Sequence, residues 1–299
     1  MAARLKEARK GTALLLLLLA APALALEWAF ENAAPRPGSR RAIEQSRELL
    51  RSALQLYPGT TVAVGIEDEI IWSAGFGFSD VRREIPVSSA TQFRIGRVSE
   101  ALTSVAAARL MEQGRLDLDA PVQQYVPAFP DKGFVITPRM LAAHLSGMPT
   151  TTQEPLEPRR CAHVEDAIRT IRSRPLSRAP GSSYLHSSDG YVLLSAVLAS
   201  ASGREFYDTI QEQVLRPSGM TSTILEDPRG PLSRRSRFYL RGWFGILREA
   251  PPADHLCKYG AAGFLSTAED LVRFGLALLR GDLVKRETLA TMFAPQRTR

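Results

Sequence analysis

The spacing of apolar positions predicts a β-hairpin in the first third of the chain. Residues 60–66 are rich in β-branched side chains, residues 67–68 are acidic, and residues 69–74 are again mostly apolar. Two such runs joined by a short polar turn are typical of a hairpin. The segment that follows, residues 75–80, contains two glycines, and it is predicted to leave the strand in a bend.

Longer apolar stretches have helical spacing. The most prominent one, residues 104–111, is rich in alanine, and small side chains allow a helix to be packed closely on several sides. Residues 93–103 are predicted to lead into its first turn, and the helix is predicted to end near Gly114. Thr137 followed by Pro138 predicts another helix start. Spacing or capping residues also predict helices at residues 41–57, 164–171, 192–200, 206–215 and 268–279.

The first 26 residues have the pattern of an export signal. Basic side chains precede an apolar run over residues 13–26, and Ala23 and Ala25 offer a small-residue cleavage site. The run is too short to span a bilayer comfortably. Export, to a periplasm or out of the cell, is therefore predicted, with membrane anchoring by residues 13–26 or mitochondrial import as the alternatives. Residues 27–40 are predicted to link this signal to a domain at residues 41–299.

Composition adds size and charge to this outline. The 299 residues, 44% of them hydrophobic, can bury a substantial core. The net charge of +7 comes mostly from scattered arginines, not from a basic block interleaved with aromatic residues, so no nucleic-acid partner is predicted. The two cysteines, Cys161 and Cys257, can pair in an oxidising compartment only if the fold brings their Cα atoms within reach, which spacing does not determine.

Residues 93–103 (FRIGRVSEALT) resemble the first active-site motif of the serine β-lactamase and penicillin-binding-protein superfamily. In that motif a serine at the start of a buried helix attacks the acyl carbon, and a lysine one turn later handles its proton. The gapless match places Arg97 at the serine position and Glu100 at the lysine position. Arginine is neither a nucleophile nor a proton acceptor, because its pKa stays above about 12.

Later motifs of the same superfamily follow in order. Residues 180–191 (PGSSYLHSSDGY) resemble the segment that carries a proton-transferring tyrosine and a substrate-binding asparagine, and these two positions are His186 and Ser188 here. Three further segments match the superfamily's order of motifs: residues 117–122, 144–148 and 261–271. No K-T-G or H-T-G motif occurs before residue 299, so the C-terminal strands and last helix of the superfamily fold are predicted to be missing.

The resemblance is closest to the class C β-lactamase branch, which includes bacterial D-alanyl-D-alanine peptidases, esterases and the serine β-lactamase-like proteins of animal mitochondria. It implies an α/β (α+β) fold in which an antiparallel sheet is flanked by helices and joined to a helical subdomain. It also implies a serine hydrolase ancestry without two of the reacting residues. We therefore predict a catalytically inactive member that binds a small molecule or a peptide, and the sequence does not determine its oligomeric state.

Two predictions concern the site itself. Arg97 and Glu100 are three residues apart and have opposite charges, so an ion pair that plugs the pocket is predicted. The alternative function is an active hydrolase for peptides, esters or amides whose nucleophile is misread or relocated, for example to a serine–histidine arrangement of Ser187 or Ser188 with His186. The candidate nucleophiles are then Ser99, Ser104, Ser187 and Ser188.

Histidine spacing gives no indication of a metal site. The four histidines, at positions 144, 163, 186 and 255, show no H-x-x-x-H pattern, so no metal or other cofactor is predicted. His144 and Ser146 lie two residues apart on a predicted tight turn. Capping and loop hydrogen bonds are expected there, in preference to a nucleophile and its base.

Overall fold

The computed structural model describes residues 28–53, 56–150, 161–227, 233–242, 245–251, 255–296 and 298, so the predicted export signal lies outside the described residues. The strands are β1 Trp28–Ala33, β2 Gly59–Ile66, β3 Glu69–Asp80, β4 Ile85–Pro86, β5 Phe93–Arg94, β6 Ile224–Leu225, β7 Tyr239–Arg241, β8 Leu247–Glu249 and β9 Phe264–Ser266. The helices are α1 Arg40–Ala53, α2 Val98–Glu112, α3 Pro138–Ala142, α4 Val164–Ile171, α5 Ser188–Ser202, α6 Phe206–Ile210, α7 Tyr259–Ala262, α8 Ala268–Arg280 and α9 Arg286–Phe293.

An antiparallel sheet is built around β3. Strands β1 and β2 flank β3, and β4 pairs with its far end, so the predicted hairpin is confirmed by β2 and β3. Trp72 and Phe76 of β3 are buried in one cluster with Ile43 of α1. Ser73 points to the opposite face, as the two-residue period of a strand requires, and donates a hydrogen bond to Glu269 of α8. Helices α1 and α8 therefore cover opposite faces of this sheet.

Two stretches differ from the sequence expectations. Residues 28–33, expected within a linker, form β1 and pair with β3. Residues 75–80, expected to bend away, continue β3 to its end. Gly75 stays in the strand because it is paired with Phe30 of β1 and Thr61 of β2. A Cβ at Gly75 would lie 2.3 Å from Phe30 Cε1, so the ring occupies the space of a side chain. The glycine here permits close packing across the sheet and does not break the strand.

Helices α2 and α5 form the centre of the helical part of the molecule. Both are apolar on nearly all sides, as expected for helices inside a core. Leu102 and Leu110 of α2, together with Leu193, Leu194 and Leu198 of α5, are fully buried in one continuous cluster. The predicted alanine-rich helix is thus confirmed by α2.

The two central helices meet α7 at Gly260. The Thr103 hydroxyl of α2 donates to the Gly260 carbonyl at 3.1 Å, and the Gly260 N–H donates to the Ser195 hydroxyl of α5 at 3.1 Å. A Cβ at Gly260 would lie 2.3 Å from Thr103 Oγ1 and 2.7 Å from Ser195 Oγ. Only glycine allows this approach, which fixes the first half of α2 against α5.

The helix start predicted at Thr137 is confirmed, and α8 begins with a cap of the same kind. The Thr137 hydroxyl accepts a hydrogen bond from the Met140 N–H at the start of α3, and the Thr267 hydroxyl accepts one from the Asp270 N–H at the start of α8. The helix predicted over residues 206–215 divides into α6 and one π-helical turn.

Short strands and a disulfide join the remaining segments. Strands β5, β9 and β6 form a three-stranded sheet in that order, and β7 pairs with β8. Cys161, just before α4, forms a disulfide with Cys257, just before α7, and their Cα atoms are 5.2 Å apart. Within the described residues, none of the helices combines the length and apolar character that crossing a membrane requires.

Candidate functional site

The site lies at the start of α2, which the neighbouring sheet positions. Strand β5 pairs with β9 and runs into a turn at Gly96, whose φ of +52° is left-handed. Arg97 is the N-cap residue of α2 and its side chain is exposed. Glu100 lies one turn further on, and its side chain is only 12% exposed. The helix start thus directs Arg97 outward and Glu100 inward.

His144 approaches Glu100 from the end of α3. The Leu145 N–H donates to the Met140 carbonyl at 2.8 Å, which closes the helix in a C-terminal cap of the Schellman type. His144 sits inside this cap with a φ of +57°, a conformation that glycine normally adopts. The Ser187 N–H donates to His144 Nδ1 at 3.2 Å and orients the ring.

His186 approaches Glu100 from the loop that precedes α5. The Ser187 hydroxyl caps α5 by accepting from the Gly190 N–H and donates to the Pro149 carbonyl, so the loop is held at both ends. The Thr150 hydroxyl donates to the His186 carbonyl at 2.5 Å, and its oxygen lies 3.5 Å from His186 Nδ1.

The three side chains meet around the Glu100 carboxylate. Glu100 Oε1 is 3.1 Å from His186 Nε2, and Glu100 Oε2 is 3.4 Å from His144 Nε2. The two imidazole rings are tilted against each other with centroids 4.5 Å apart. His144 is 12% exposed and His186 is 21% exposed, so the cluster is largely shielded from solvent but not fully buried. We refer to Glu100, His144 and His186 as the Glu100 cluster.

The predicted ion pair between Arg97 and Glu100 was wrong. Among the ion pairs of the described residues, Glu100 contacts His144 and His186, and Arg97 takes part in none. The reason is geometric, because the Arg97 side chain leaves the helix at its N-cap toward solvent while two imidazoles already occupy both carboxylate oxygens.

The candidate serines lie in different environments. The Ser187 hydroxyl is engaged as a helix cap, and the Ser104 hydroxyl is 2.8 Å from the Tyr191 hydroxyl. Ser99 is fully buried and its hydroxyl has no hydrogen-bond partner. Ser188 is the first residue of α5 and is half-buried. The Thr150 hydroxyl oxygen, by contrast, lies 3.5 Å from a ring nitrogen of the Glu100 cluster, Nδ1 of His186.

Tyr191 of α5 forms the wall behind the cluster. Its ring centroid is 5.0 Å from that of His144, and its hydroxyl donates to the Ala142 carbonyl at 2.9 Å. Burial raises the pKa of Tyr191 to about 12; the hydrogen bond with Ser104 opposes this rise and the Glu100 carboxylate adds to it. The phenol therefore stays protonated at physiological pH and serves as a hydrogen-bond donor.

Sequence reasoning singled out two of the three members of this cluster and missed the third. Glu100 and His186 were identified because they replace the lysine and tyrosine of the superfamily motifs. His144, 44 positions from Glu100, was expected to make only loop hydrogen bonds. His144 did not stand out because it matches the histidine of the superfamily's H-x-S-G turn and is therefore not a substitution, unlike the other two.

The chain matches the β-lactamase family over residues 46–299 and belongs to that family of serine hydrolase-like proteins. It is 31% identical to the human protein named serine beta-lactamase-like protein LACTB, mitochondrial, over 85% of this chain and 60% of the human protein. It is 30% identical to the mouse protein of the same name, over 82% of this chain and 58% of the mouse protein. The chain thus spans less than two thirds of the length of these relatives.

A solved structure shows the same fold. The octameric penicillin-binding protein homologue from Pyrococcus abyssi superposes with a TM-score of 0.71 at 22% identity, covering 85% of this chain and 60% of that chain. This likeness confirms the predicted fold class of a sheet flanked by helices with a helical subdomain.

Proposed function

We propose that this protein has lost the acyl-serine chemistry of its family and acts by binding a small molecule or a peptide. The observation that carries the proposal is the environment of Glu100. At the position matched to the proton-handling lysine, a carboxylate lies between two imidazoles. A carboxylate there cannot place a positive charge beside an attacking serine oxygen, and Arg97 at the matched serine position offers no nucleophile.

Two further features support binding. Ser188, at the position matched to the substrate-binding asparagine, retains a hydroxyl that can hydrogen-bond to a ligand. His186 is the most exposed member of the Glu100 cluster, at 21%, and its ring offers polar atoms to a ligand.

Covalent labelling tests the loss of acyl-serine chemistry. The purified chain is incubated with a fluorescent penicillin and, separately, with a fluorophosphonate probe, beside an active serine β-lactamase as a positive control. We expect no covalent label on this chain. The variants Ser99→Ala, Ser104→Ala, Ser187→Ala and Ser188→Ala are treated in parallel. Stoichiometric labelling that disappears in one of them would establish a relocated nucleophile and overturn the proposal.

We also propose that the protein is exported, with residues 1–26 removed. The signal-like sequence supports this, and so does the disulfide, because such bonds persist in oxidising compartments and are rare in reducing ones. The mitochondrial names of the human and mouse relatives favour import into that organelle as the alternative. N-terminal sequencing of the mature protein with cell fractionation decides between them. A mitochondrial fraction that contains the protein would contradict export.

A further inference from the structure

We propose that the Glu100 cluster is a binding site for one divalent transition-metal ion, with Zn²⁺ as the best match. The site is formed by Glu100 from α2, His144 from the end of α3 and His186 from the loop before α5. This inference stands apart from the proposed loss of acyl-serine chemistry, because the ion can bind whether or not a serine reacts.

The spacing of the three side chains fits a small ion. A tetrahedral Zn²⁺ with ligands at about 2.0–2.2 Å holds neighbouring ligand atoms roughly 3.3–3.5 Å apart. The distances from the Glu100 oxygens to His186 Nε2 and His144 Nε2 are 3.1 and 3.4 Å. One ligand atom from each of the three residues lies within 4.8 Å of the other two. The two short distances run to different carboxylate oxygens, so bringing one atom of each residue around a single centre requires ligand atoms to approach by up to about 1.3 Å.

The chemistry of the donors selects the class of metal. Two imidazoles and one carboxylate suit Zn²⁺ and neighbouring transition metals, whereas Mg²⁺ and Ca²⁺ prefer oxygen ligands only. Three protein ligands leave a fourth position for water or a ligand group, and the partial exposure of His186 shows that solvent reaches the cluster. Both cysteines of the chain are in the disulfide, so no thiolate competes for the ion.

The surroundings of His186 prepare it to bind a metal. Its Nδ1 faces the Thr150 oxygen at 3.5 Å, and the Thr150 hydroxyl hydrogen is directed to the His186 carbonyl, so that oxygen can only accept from the ring. A proton on Nδ1 leaves a lone pair on Nε2, which points at a carboxylate oxygen. When the ring carries its proton on Nε2, that N–H donates to Glu100 Oε1 at 3.1 Å, and a metal takes the place of this proton once it moves to Nδ1. Support of the second ring nitrogen is the usual arrangement for a metal-bound histidine.

His144 is the weaker ligand of the pair. Because the Ser187 N–H donates to Nδ1, the metal-free ring carries its proton on Nε2 and points it at Glu100. Binding a metal through Nε2 moves the proton to Nδ1 and gives up the Ser187 hydrogen bond. Leaving that N–H without a partner lowers the association constant by roughly 5- to 150-fold. The three ligands should therefore contribute unequally.

The competing account is a carboxylate that accepts hydrogen bonds from two neutral imidazoles and binds no metal. A His–Glu pair elsewhere provides a control for metal binding at an isolated pair. His163 Nδ1 is 3.1 Å from Glu205 Oε1, the same kind of contact at the same distance, but both side chains are more than half exposed. In the described part of the chain, the Glu100 cluster is the group of three or more ligating side chains that closes around one point.

Metal titration of the full chain, purified without a polyhistidine tag and stripped with a chelator, tests the site. We expect Zn²⁺ to bind with a stoichiometry of one by calorimetry, and Co²⁺ to give the intense visible absorption of a tetrahedral centre. His186→Ala and Glu100→Gln should weaken binding by more than about 100-fold, since even residues that only support metal ligands cost 10- to 100-fold. His144→Ala should cost less, and His163→Ala should bind as the parent does.

A second measurement guards against variants that fail to fold. Excess Zn²⁺ should raise the midpoint of thermal unfolding of the parent and of His163→Ala, and leave that of Glu100→Gln unchanged, because a ligand stabilises only the state that binds it. Glu100→Gln keeps the shape and the hydrogen-bond acceptor of the side chain, so its own fold should persist. The proposal is overturned if the parent shows no saturable binding, or if Glu100→Gln and His186→Ala bind Zn²⁺ as tightly as the parent.

Discussion

His144 occupies a backbone position that suits glycine. Its φ of +57° falls in the left-handed region, where a residue with a Cβ costs roughly 1–2 kcal/mol. In exchange its imidazole reaches Glu100, accepts from the Ser187 N–H and packs against the rings of His186 and Tyr191. Strain of this kind persists where the surrounding contacts hold it, and it is concentrated at functional sites.

A comparison of two substitutions measures that strain. His144→Gly and His144→Ala both remove the imidazole, but only glycine adopts a positive φ without steric cost. We expect His144→Gly to be more stable than His144→Ala by about 1 kcal/mol. Urea unfolding of both variants gives the difference. The same pair at Glu48, an exposed position within α1, should show the reverse order, because alanine is the better helix former. If the alanine variant were the more stable one at both positions, His144 would not be strained.

At the scale of single residues, the sequence identified chemistry but not contacts. The motif match selected Glu100 and His186 as altered positions, and helical spacing then suggested Arg97 as the partner of Glu100. That step failed because spacing along one helix says nothing about side chains that arrive from other elements. His144 and His186 lie 42 positions apart and meet only because α3 and α5 pack together.

At the scale of elements, the sheet of β5, β9 and β6 sets where α2 begins. Arg94 of β5 makes two hydrogen bonds to Glu226, just after β6, at 2.6 and 2.8 Å, and Arg235 contacts the same carboxylate at 3.2 Å. Glu226 is 1% exposed. The carboxylate therefore ties the two outer strands together across β9, three residues before the N-cap of α2.

Removal of this carboxylate should be costly. Glu226→Ala leaves two shielded guanidinium groups facing a vacated site, and we expect a loss of about 3–5 kcal/mol in the free energy of unfolding. Asp119→Ala is the matched control, since Arg139 holds Asp119 in the same two-pronged geometry, at 2.7 Å for both bonds, on the surface. Asp119→Ala should lower the free energy of unfolding by only about 0–1 kcal/mol. Similar losses for both variants in chemical denaturation would contradict a special role for Glu226.

Most elements could be predicted from local patterns, and the exceptions have a physical cause. The cap at Thr137 was correct because a side-chain oxygen and a nearby N–H are local features. Strand β1 and the continuation of β3 were missed because both depend on long-range pairing. Residues 31–32 are polar and form a strand only because they pair with β3. Gly75 is also paired with β1, and the Phe30 ring packs over it.

At the scale of the whole molecule, the disulfide joins two regions that are far apart in sequence. Cys161 precedes α4 of the helical subdomain, and Cys257 precedes α7, which packs on α2 and α5. The Tyr259 hydroxyl donates to the Cys161 carbonyl at 3.3 Å, so a hydrogen bond joins the same two regions as the disulfide. The bond closes a long stretch of chain that includes His186 and the whole of α5.

The disulfide should therefore make a large contribution to stability. The two cysteines are 96 positions apart, and chain-entropy arguments give about 4.7 kcal/mol for a loop of roughly 100 residues, with 2–5 kcal/mol lost when native bonds are removed. We expect the double variant Cys161→Ala/Cys257→Ala to lose about that much in urea unfolding. A reducing agent should lower the midpoint of the parent and leave the double variant unchanged. Two titratable thiols in the unreduced, denatured parent would show instead that the bond does not form, and the prediction would fail.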